Sequence, residues 1–220
     1  MDPTTKDNLA QLDNLLAASN QSWLFGAGIS LDAGIPLMWP LTDRVFARAK
    51  VDGEAKDLKV LEFIRGELSE NSHIEHILSQ LGDCRAIADR SKNKNVPFGG
   101  VTISVDDLDA LHQRVLTWIA ETIRWGYKPE KADETSEVIG TYETRIVTID
   151  SHTSFVSALF NRSQAGVAER RRAVRLFTTN YDTLLEDALA LGGFSYWDGF
   201  SGGAVAYRSH RYGDEEPNLR

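Results

Sequence analysis

The fold predicted from this sequence rests on the stretch Trp23-Leu24-Phe25-Gly26-Ala27-Gly28-Ile29-Ser30, which Gly34-Ile35-Pro36 follows. The apolar run predicts a buried strand that ends in a glycine turn and leads toward a helix. We expect Gly26 and Gly28 to adopt positive φ, so that main-chain N–H groups approach a ligand. The N-terminus of the following helix would favour a phosphate. Leu31 replaces the third glycine of G-x-G-x-x-G, so an ordinary strand–turn–helix junction explains this segment equally well on its own.

A second segment repeats the same arrangement. The strand-like run Val174-Arg175-Leu176-Phe177 precedes Thr178-Thr179-Asn180-Tyr181-Asp182, and a helical pattern follows at 184–189. Two strands that each end in a polar turn before a helix predict an open parallel sheet, in which ligands bind at the carboxyl ends of the strands. Asn180 would offer donors and an acceptor to such a ligand. Asp182 is also consistent with a helix N-cap, and the threonines with a simple strand end.

The region between the two strands has mainly helical periodicity. Its length, roughly 100 residues for the helical part, exceeds a single βα crossover. We therefore predict an α/β protein with a Rossmann-like parallel sheet, formed by residues 1–50 and 151–220, and a helical subdomain inserted at 51–150. Within the insertion, Pro97, Gly99 and Gly100 predict a surface loop.

Composition limits the class of protein. The net charge of −8 argues against nucleic-acid binding by the chain as a whole. No apolar run approaches the roughly 18 residues that a membrane helix needs, and no signal peptide is evident at the N-terminus. The single cysteine, Cys84, suits a reducing compartment, so we predict a cytoplasmic protein without membrane contact.

The two glycine and asparagine segments resemble those of the sirtuins, the silent-information-regulator family. The resemblance is greatest to the bacterial sirtuin-like NAD hydrolases of anti-phage defence, and it covers most of residues 15–205. The residues that carry it are Gly26-Ala27-Gly28-Ile29-Ser30, Gly34-Ile35-Pro36 and Thr178-Thr179-Asn180-Tyr181-Asp182, with support from Ile74-Glu75-His76-Ile77-Leu78-Ser79 and Asp198-Gly199-Phe200-Ser201-Gly202.

The resemblance implies that NAD+ binds as the substrate. Asn180 would hold the ribose hydroxyls or an attacking water, and Asp182 would hydrogen-bond the nicotinamide carboxamide. The remaining residues that it implies as NAD-binding are Gly26, Ala27, Gly28, Ser30, Gly34, Ile35, Pro36, Thr178 and Thr179. Sirtuin-like defence proteins also commonly self-assemble and act beside a second component, often a HerA-type ring ATPase, so both are expected partners.

Two departures from the family disfavour protein deacylation. Deacylating sirtuins carry a zinc module held by four cysteines, which one cysteine cannot build. Leu37-Met38-Trp39 also replaces the Asp-Phe-Arg that usually follows the Gly-Ile-Pro turn. His73 and His76 share a helix face, but without further ligands nearby they are interpreted as surface or core histidines. No zinc or other metal site is expected.

The catalytic base is the open question of the sequence. The family's histidine lies in a Leu-His-Gly motif beyond the asparagine segment, and nothing after Asp182 matches it. We therefore expect the 220 residues to be a fragment, apparently shortened at the C-terminus, or a form without the usual base. His152 is the candidate histidine within the chain, although a packing role at a helix start explains it equally well.

Three functions remain open at this point. The first is NAD+ hydrolysis, which would deplete NAD+ during phage infection. The second is a catalytically incomplete NAD-binding or assembly module. The third is NAD-dependent protein deacylation, which the missing cysteines disfavour.

Overall fold

The structure is a computed structural model that describes residues 22–130, 136–164 and 174–197, with the short pieces 7–8, 11, 200–201, 207–208 and 218–219. The chain divides into two compact units. The larger unit comprises residues 18–148 and 173–182, and the smaller comprises 1–17, 149–172 and 183–220. The domain boundaries predicted from the sequence stay a prediction.

Helices and short strands alternate along the described residues. The helices are α1 (Met38–Asp52), α2 (Asp57–Glu67), α3 (Ile74–Arg90), α4 (Val105–Trp125), α5 (Asp150–Gln164) and α6 (Leu184–Leu191). The strands are β1 (Ser22–Phe25), β2 (Asn95–Phe98), β3 (Val101–Ser104), β4 (Tyr127–Lys128), β5 (Val138–Ile139), β6 (Arg175–Thr178), β7 (Phe200–Ser201), β8 (Tyr207–Arg208) and β9 (Asn218–Leu219). This confirms the α/β class; the Rossmann-like and sirtuin-like arrangement stays a prediction.

The two strands predicted to belong to one parallel sheet are paired directly with each other. β1 and β6 form a parallel pair in which Ser22 is opposite Arg175 and Phe25 is opposite Thr178. Because both strands run in the same direction, the polar turns that follow them lie at the same edge of the sheet. The pairing of segments so distant in the chain therefore creates the candidate site.

The turn after β1 differs from the prediction. Gly26 has an extended backbone with φ of −115°, and Gly28 lies within a 3₁₀ turn, Ala27–Ser30. Neither glycine has positive φ; that conformation occurs at Gly34, with φ of 89°. The expected left-handed turn at 26 and 28 is thus wrong, because one tight 3₁₀ turn already reverses the chain after the strand.

The core of the larger unit lies among α1, α2, α3 and α4. Helix α4 begins where Ser104 accepts a hydrogen bond of 3.2 Å from the backbone of Asp107, and it ends at Gly126, whose φ is 93°. Its buried residues recur at helical spacing: Leu108, Leu111, Val115, Trp118, Ile119 and Thr122. This stripe packs against α1 and α3, and buried residues of α2 belong to the same hydrophobic cluster.

The stretch predicted to be a surface loop around residue 97 is a β-hairpin. β2 and β3 pair antiparallel, with Phe98 opposite Val101, and Gly99 and Gly100 form the turn with φ of 50° and 88°. Positive φ at both central residues is the requirement of a type I′ turn, one of the two favoured two-residue hairpin turns. The glycines therefore marked a hairpin turn, and Pro97 did not prevent a short strand.

The smaller unit contains α5 and α6, which pack against each other. The rings of Phe160 and Phe194 stack with their centroids 4.4 Å apart, and Val156 is fully buried. β7, β8 and β9 form a separate antiparallel sheet. None of the helices in the described part of the chain is long and apolar enough to cross a membrane.

Candidate functional site

The site begins where β1 and β6 end. The backbone N–H of Thr179 donates a 3.1 Å hydrogen bond to the carbonyl of Phe25, which continues the pairing one residue past the strand. The hydroxyl of Thr178 then accepts a 3.0 Å bond from the backbone N–H of Asn180. These two bonds fix the turn that carries the Asn180 side chain.

Ser30 connects the two turns. Its hydroxyl donates a 2.8 Å hydrogen bond to Asp182 Oδ2 and accepts a 3.1 Å bond from Asn180 Nδ2. Ser30 is fully buried, so these bonds are shielded from water. The Oδ1 atom of Asn180 is also buried, yet it has no hydrogen-bond partner among the described residues. A buried polar atom in that state raises the free energy of the fold unless something else satisfies it.

A cavity of about 330 Å³ adjoins this cluster. Its lining combines Ala27 and five larger apolar residues with several polar ones, which is the usual composition of a small-molecule site. The larger apolar residues are Ile35, Pro36, Met38, Leu41 and Ile123, and the others are Ala27, His73, Glu75, Thr179, Asn180, Tyr181 and Asp182. All of them belong to the larger unit.

The N-terminus of α3 contributes His73 and Glu75 to the cavity lining. Helix α3 is anchored to α1, because the buried Thr42 hydroxyl accepts a 2.9 Å bond from the backbone of Ile74. The Tyr181 hydroxyl donates a hydrogen bond to Glu75 Oε1. Loss of solvent around the hydroxyl, and then this bond, raise the pKa of Tyr181 to about 12. The α3 end of the cavity is thereby joined to the residue after Asn180.

The structure brings about half of the predicted site residues to one cavity. Those that line it are Ala27, Ile35, Pro36, Thr179, Asn180 and Asp182. Ser30 lies behind them and holds both Asn180 and Asp182, while Thr178 holds the Asn180 backbone. Gly26 and Gly28 lie at the exposed start of the 3₁₀ turn, and Gly34 is buried in the turn that follows it.

The remaining predicted roles are those of Asp182 as a possible helix N-cap and of His152 as a possible catalytic base. The residue at the N-cap of α6 is Thr183, so the capping alternative for Asp182 is wrong. His152 belongs to the smaller unit, where it lies on α5 and is 1% exposed. Its predicted catalytic role stays a prediction.

Sequence reasoning missed the contribution of α3. His73 and Glu75 line the cavity, although the histidine had been interpreted as a surface or core residue. The available signal is the segment 74–79, which carries part of the family resemblance but by itself indicates no role in the site. Tyr181 was likewise treated as part of a motif, and its bond to Glu75 crosses 106 residues of sequence, which no local pattern reveals.

Metal ligation finds no support in the described residues, where no three or more His, Cys, Asp or Glu side chains are grouped as a metal site requires. The expectation that the protein holds no zinc stays a prediction. No protein-family model matches the sequence, and no curated protein is significantly similar to it. The functional conclusion therefore depends on the geometry of the cavity and on the sirtuin-like motifs.

Proposed function

We propose that this protein is an NAD+ hydrolase, which releases nicotinamide and ADP-ribose and depletes cytoplasmic NAD+ during phage infection. The observation that carries the proposal is the cluster of Ser30, Asn180 and Asp182 beside a cavity at the ends of two parallel strands. Open parallel sheets bind nucleotides at this edge. The sirtuin-like sequence of both turns supports NAD+ as the particular nucleotide.

The size of the cavity supports binding of one end of a dinucleotide. A volume of about 330 Å³ lies near the lower limit of ligand pockets, which is roughly 300 Å³. We assign it to the nicotinamide and its ribose, with Ile35 and Pro36 as the apolar wall. The pyrophosphate would then lie along Gly26 and Gly28, where a Cβ atom added to either glycine meets no other heavy atom within 4 Å.

The proposed chemistry needs few catalytic groups. The bond between nicotinamide and ribose C1′ breaks with its electron pair moving to the pyridinium nitrogen, so nicotinamide leaves as a neutral molecule without a general acid. The ribose becomes cation-like, as in glycoside hydrolysis, and water then bonds to C1′. The protein therefore contributes mainly positioning of the ribose and the water.

Asn180 suits that positioning role. Ser30 holds its Nδ2, so the amide cannot turn freely. Its Oδ1 is the buried acceptor without a partner among the described residues, and a ribose hydroxyl or the attacking water would satisfy it. Because the amide is neutral, it would not capture the cation-like ribose. Asp182, held by Ser30, would accept a hydrogen bond from the nicotinamide carboxamide.

The decisive experiment measures nicotinamide released from NAD+ with and without an acetyl-lysine peptide. Release without the peptide supports the proposal. Release only with the peptide would instead indicate deacylation, and NAD+ binding without release would indicate a binding module. Absence of both binding and release would overturn the assignment of NAD+.

The matched variants are Asn180→Ala and Asn93→Ala. We expect Asn180→Ala to keep most of the NAD+ affinity while turnover falls on the order of 10²-fold or more, as for other positioned polar groups. Asn93 is exposed in the turn after α3 and does not line the cavity, so Asn93→Ala should keep wild-type turnover. Similar turnover in both variants would remove Asn180 from the reaction.

A further inference from the structure

We infer that His73 is a further catalytic residue of the cavity, accepting the proton of the attacking water, and that Glu75 positions it. This inference rests on the proposed NAD+ hydrolysis. It assigns the proton-accepting role to a residue of the larger unit, the unit that contains the whole cavity. His73 lines that cavity together with Asn180 and Asp182.

The relation of His73 to Glu75 supports a proton-accepting role. Nδ1 of His73 is buried at the start of α3, where His73 and His76 form a capping box, and Glu75 Oε2 lies 4.0 Å from it. That distance is too long for a hydrogen bond, but it lies within the range of an ion pair. Glu75 therefore lies where its carboxylate can hold the imidazole in one orientation.

Glu75 is itself held in place. Tyr181 donates a hydrogen bond to its other oxygen, Oε1. In many hydrolases a general base activates the nucleophile, and a third group orients that base. Here Glu75 would be that third group for His73, with Tyr181 fixing the carboxylate. In the tautomer with hydrogen on Nδ1, beside Glu75, Nε2 would be the nitrogen that accepts the proton.

The surroundings of His73 are otherwise suited to an imidazole. The edge of the ring packs against Trp39 of α1, with centroids 6.3 Å apart, and the His76 ring lies 4.2 Å away. The titratable groups near it are therefore Glu75 and His76 on α3, with Tyr181 and Asp182 in the cavity lining. α1 contributes the uncharged Trp39, and α4 contributes the apolar Ile123.

The step balances without any further reagent. Water forms a bond from its oxygen to ribose C1′ and gives one proton to His73. The electron pair of the C1′–N bond leaves with nicotinamide, and the charged imidazole then returns its proton to solvent. Water is the co-reactant, and the products are ADP-ribose and nicotinamide.

The test compares His73→Gln, Glu75→Gln and the control His112→Gln. His112 lies on α4 outside the cavity lining. We expect His73→Gln to lower kcat by about 10²-fold with little change in NAD+ affinity, and to remove the acid limb of the pH–rate profile. Glu75→Gln should lower kcat and leave NAD+ affinity unchanged, because the imidazole loses the carboxylate that orients it. His112→Gln should match the wild type.

A second measurement separates this inference from the proposed function. Proton NMR of the histidine ring signals, recorded with the product ADP-ribose, should show a shifted His73 signal that is absent in His73→Gln. If the wild type releases nicotinamide but His73→Gln keeps its kcat and its pH profile, the inference falls and the proposed function stands. If the wild type neither binds nor cleaves NAD+, the proposed function falls and the inference with it.

Discussion

Ser30 Oγ lies 2.8 Å from Asp182 Oδ2, although 152 residues separate the two in sequence. The same oxygen accepts a hydrogen bond from Asn180, so one buried hydroxyl connects the turns after β1 and β6. A serine hydroxyl can serve both neighbours because it is a donor and an acceptor at once. Ser30 is therefore the residue on which the relative positions of Asn180 and Asp182 depend.

Ser30→Ala should damage the site more than the fold. The substitution leaves Asn180 and Asp182 without this partner, and we expect a loss of about 1–3 kcal/mol in the free energy of unfolding. Turnover should fall by roughly 10–100-fold, because Asn180 is no longer held in one orientation. Urea unfolding and nicotinamide release measure the two effects.

Thr117→Ala is the matched control for this prediction. The Thr117 hydroxyl donates to a carbonyl of its own helix at an exposed position, so its loss should change stability by less than about 0.5 kcal/mol and leave turnover unchanged. Equal turnover in Ser30→Ala and Thr117→Ala would show that Ser30 does not organise the site.

Substitutions at Gly28 and Gly34 should affect different properties: NAD+ affinity in the first case and folding stability in the second. A Cβ atom at Gly28 would meet no heavy atom within 4 Å, whereas at Gly34 it would lie 3.0 Å from the Ile146 carbonyl oxygen at a φ of 89°. Gly28→Val should therefore fold normally and lose NAD+ affinity, because its side chain occupies the path proposed for the pyrophosphate. Gly34→Val should instead lose folding stability by more than about 1 kcal/mol.

Calorimetry with NAD+ and thermal unfolding distinguish the two variants. Undiminished affinity in a well-folded Gly28→Val protein would remove this turn from the proposed ligand path. A Gly34→Val protein as stable as the wild type would contradict the strain expected at positive φ.

The sequence predicted the strands more successfully than the turn between strand and helix. The apolar runs at 23–25 and 174–177 predicted two parallel strands with polar ends, and both strands form. The prediction that the first strand is buried is wrong, because its residues alternate between exposed and half-buried and Leu24 is 75% exposed. The glycines did not determine φ, because Gly26 and Gly28 also fit an extended residue and a 3₁₀ turn. Glycine permits positive φ without requiring it.

The α3 part of the site could not be predicted from local patterns. His73 and Glu75 reach the cavity because α3 is anchored through Thr42 to α1, and Glu75 meets a tyrosine from the distant β6 turn. Contacts of this kind depend on tertiary packing and leave no periodic signature. Ser30 contacts Asn180 and Asp182, which no local pattern indicates, and its predicted role as a ligand residue stays a prediction.

Arg114 should be among the most important charged residues for stability. Its guanidinium makes bonds of 2.7 and 2.8 Å to Asp57, whose side chain is 1% exposed. Arg114→Ala would leave a buried carboxylate without its cation, and we expect a loss of about 3–5 kcal/mol in the free energy of unfolding. Chemical denaturation measures it directly.

Arg85→Ala provides the comparison for Arg114→Ala. Arg85 also binds a carboxylate with two nitrogens, that of Asp109, but both side chains are nearly half exposed. Solvent screens such a pair, so its loss should cost less than about 1 kcal/mol. If the two variants unfold at the same denaturant concentration, the buried Arg114–Asp57 pair contributes no more to the free energy of unfolding than the exposed pair.

Two tyrosines should titrate late in alkaline solution. Burial and a hydrogen bond to Glu137 raise the pKa of Tyr127 to about 12, and loss of solvent with the bond to Glu75 does the same for Tyr181. Since these pKa values exceed the ordinary 10, the folded state keeps the protons that the unfolded state has already lost. The associated stability is complete below about pH 10 and disappears as pH rises through about 12.

Ultraviolet absorbance of ionised tyrosine checks this titration. Tyr181→Phe and Tyr127→Phe should each remove one phenol from the late phase, and Glu75→Gln should move the Tyr181 contribution to lower pH, because the carboxylate that disfavours a second negative charge is gone. Tyr127 is the internal control for Glu75→Gln, since its own partner is Glu137 and its late titration should persist. An unchanged Tyr181 titration in Glu75→Gln would show that Glu75 does not hold that hydroxyl in solution, and the support that Tyr181 is proposed to give Glu75 would then be absent.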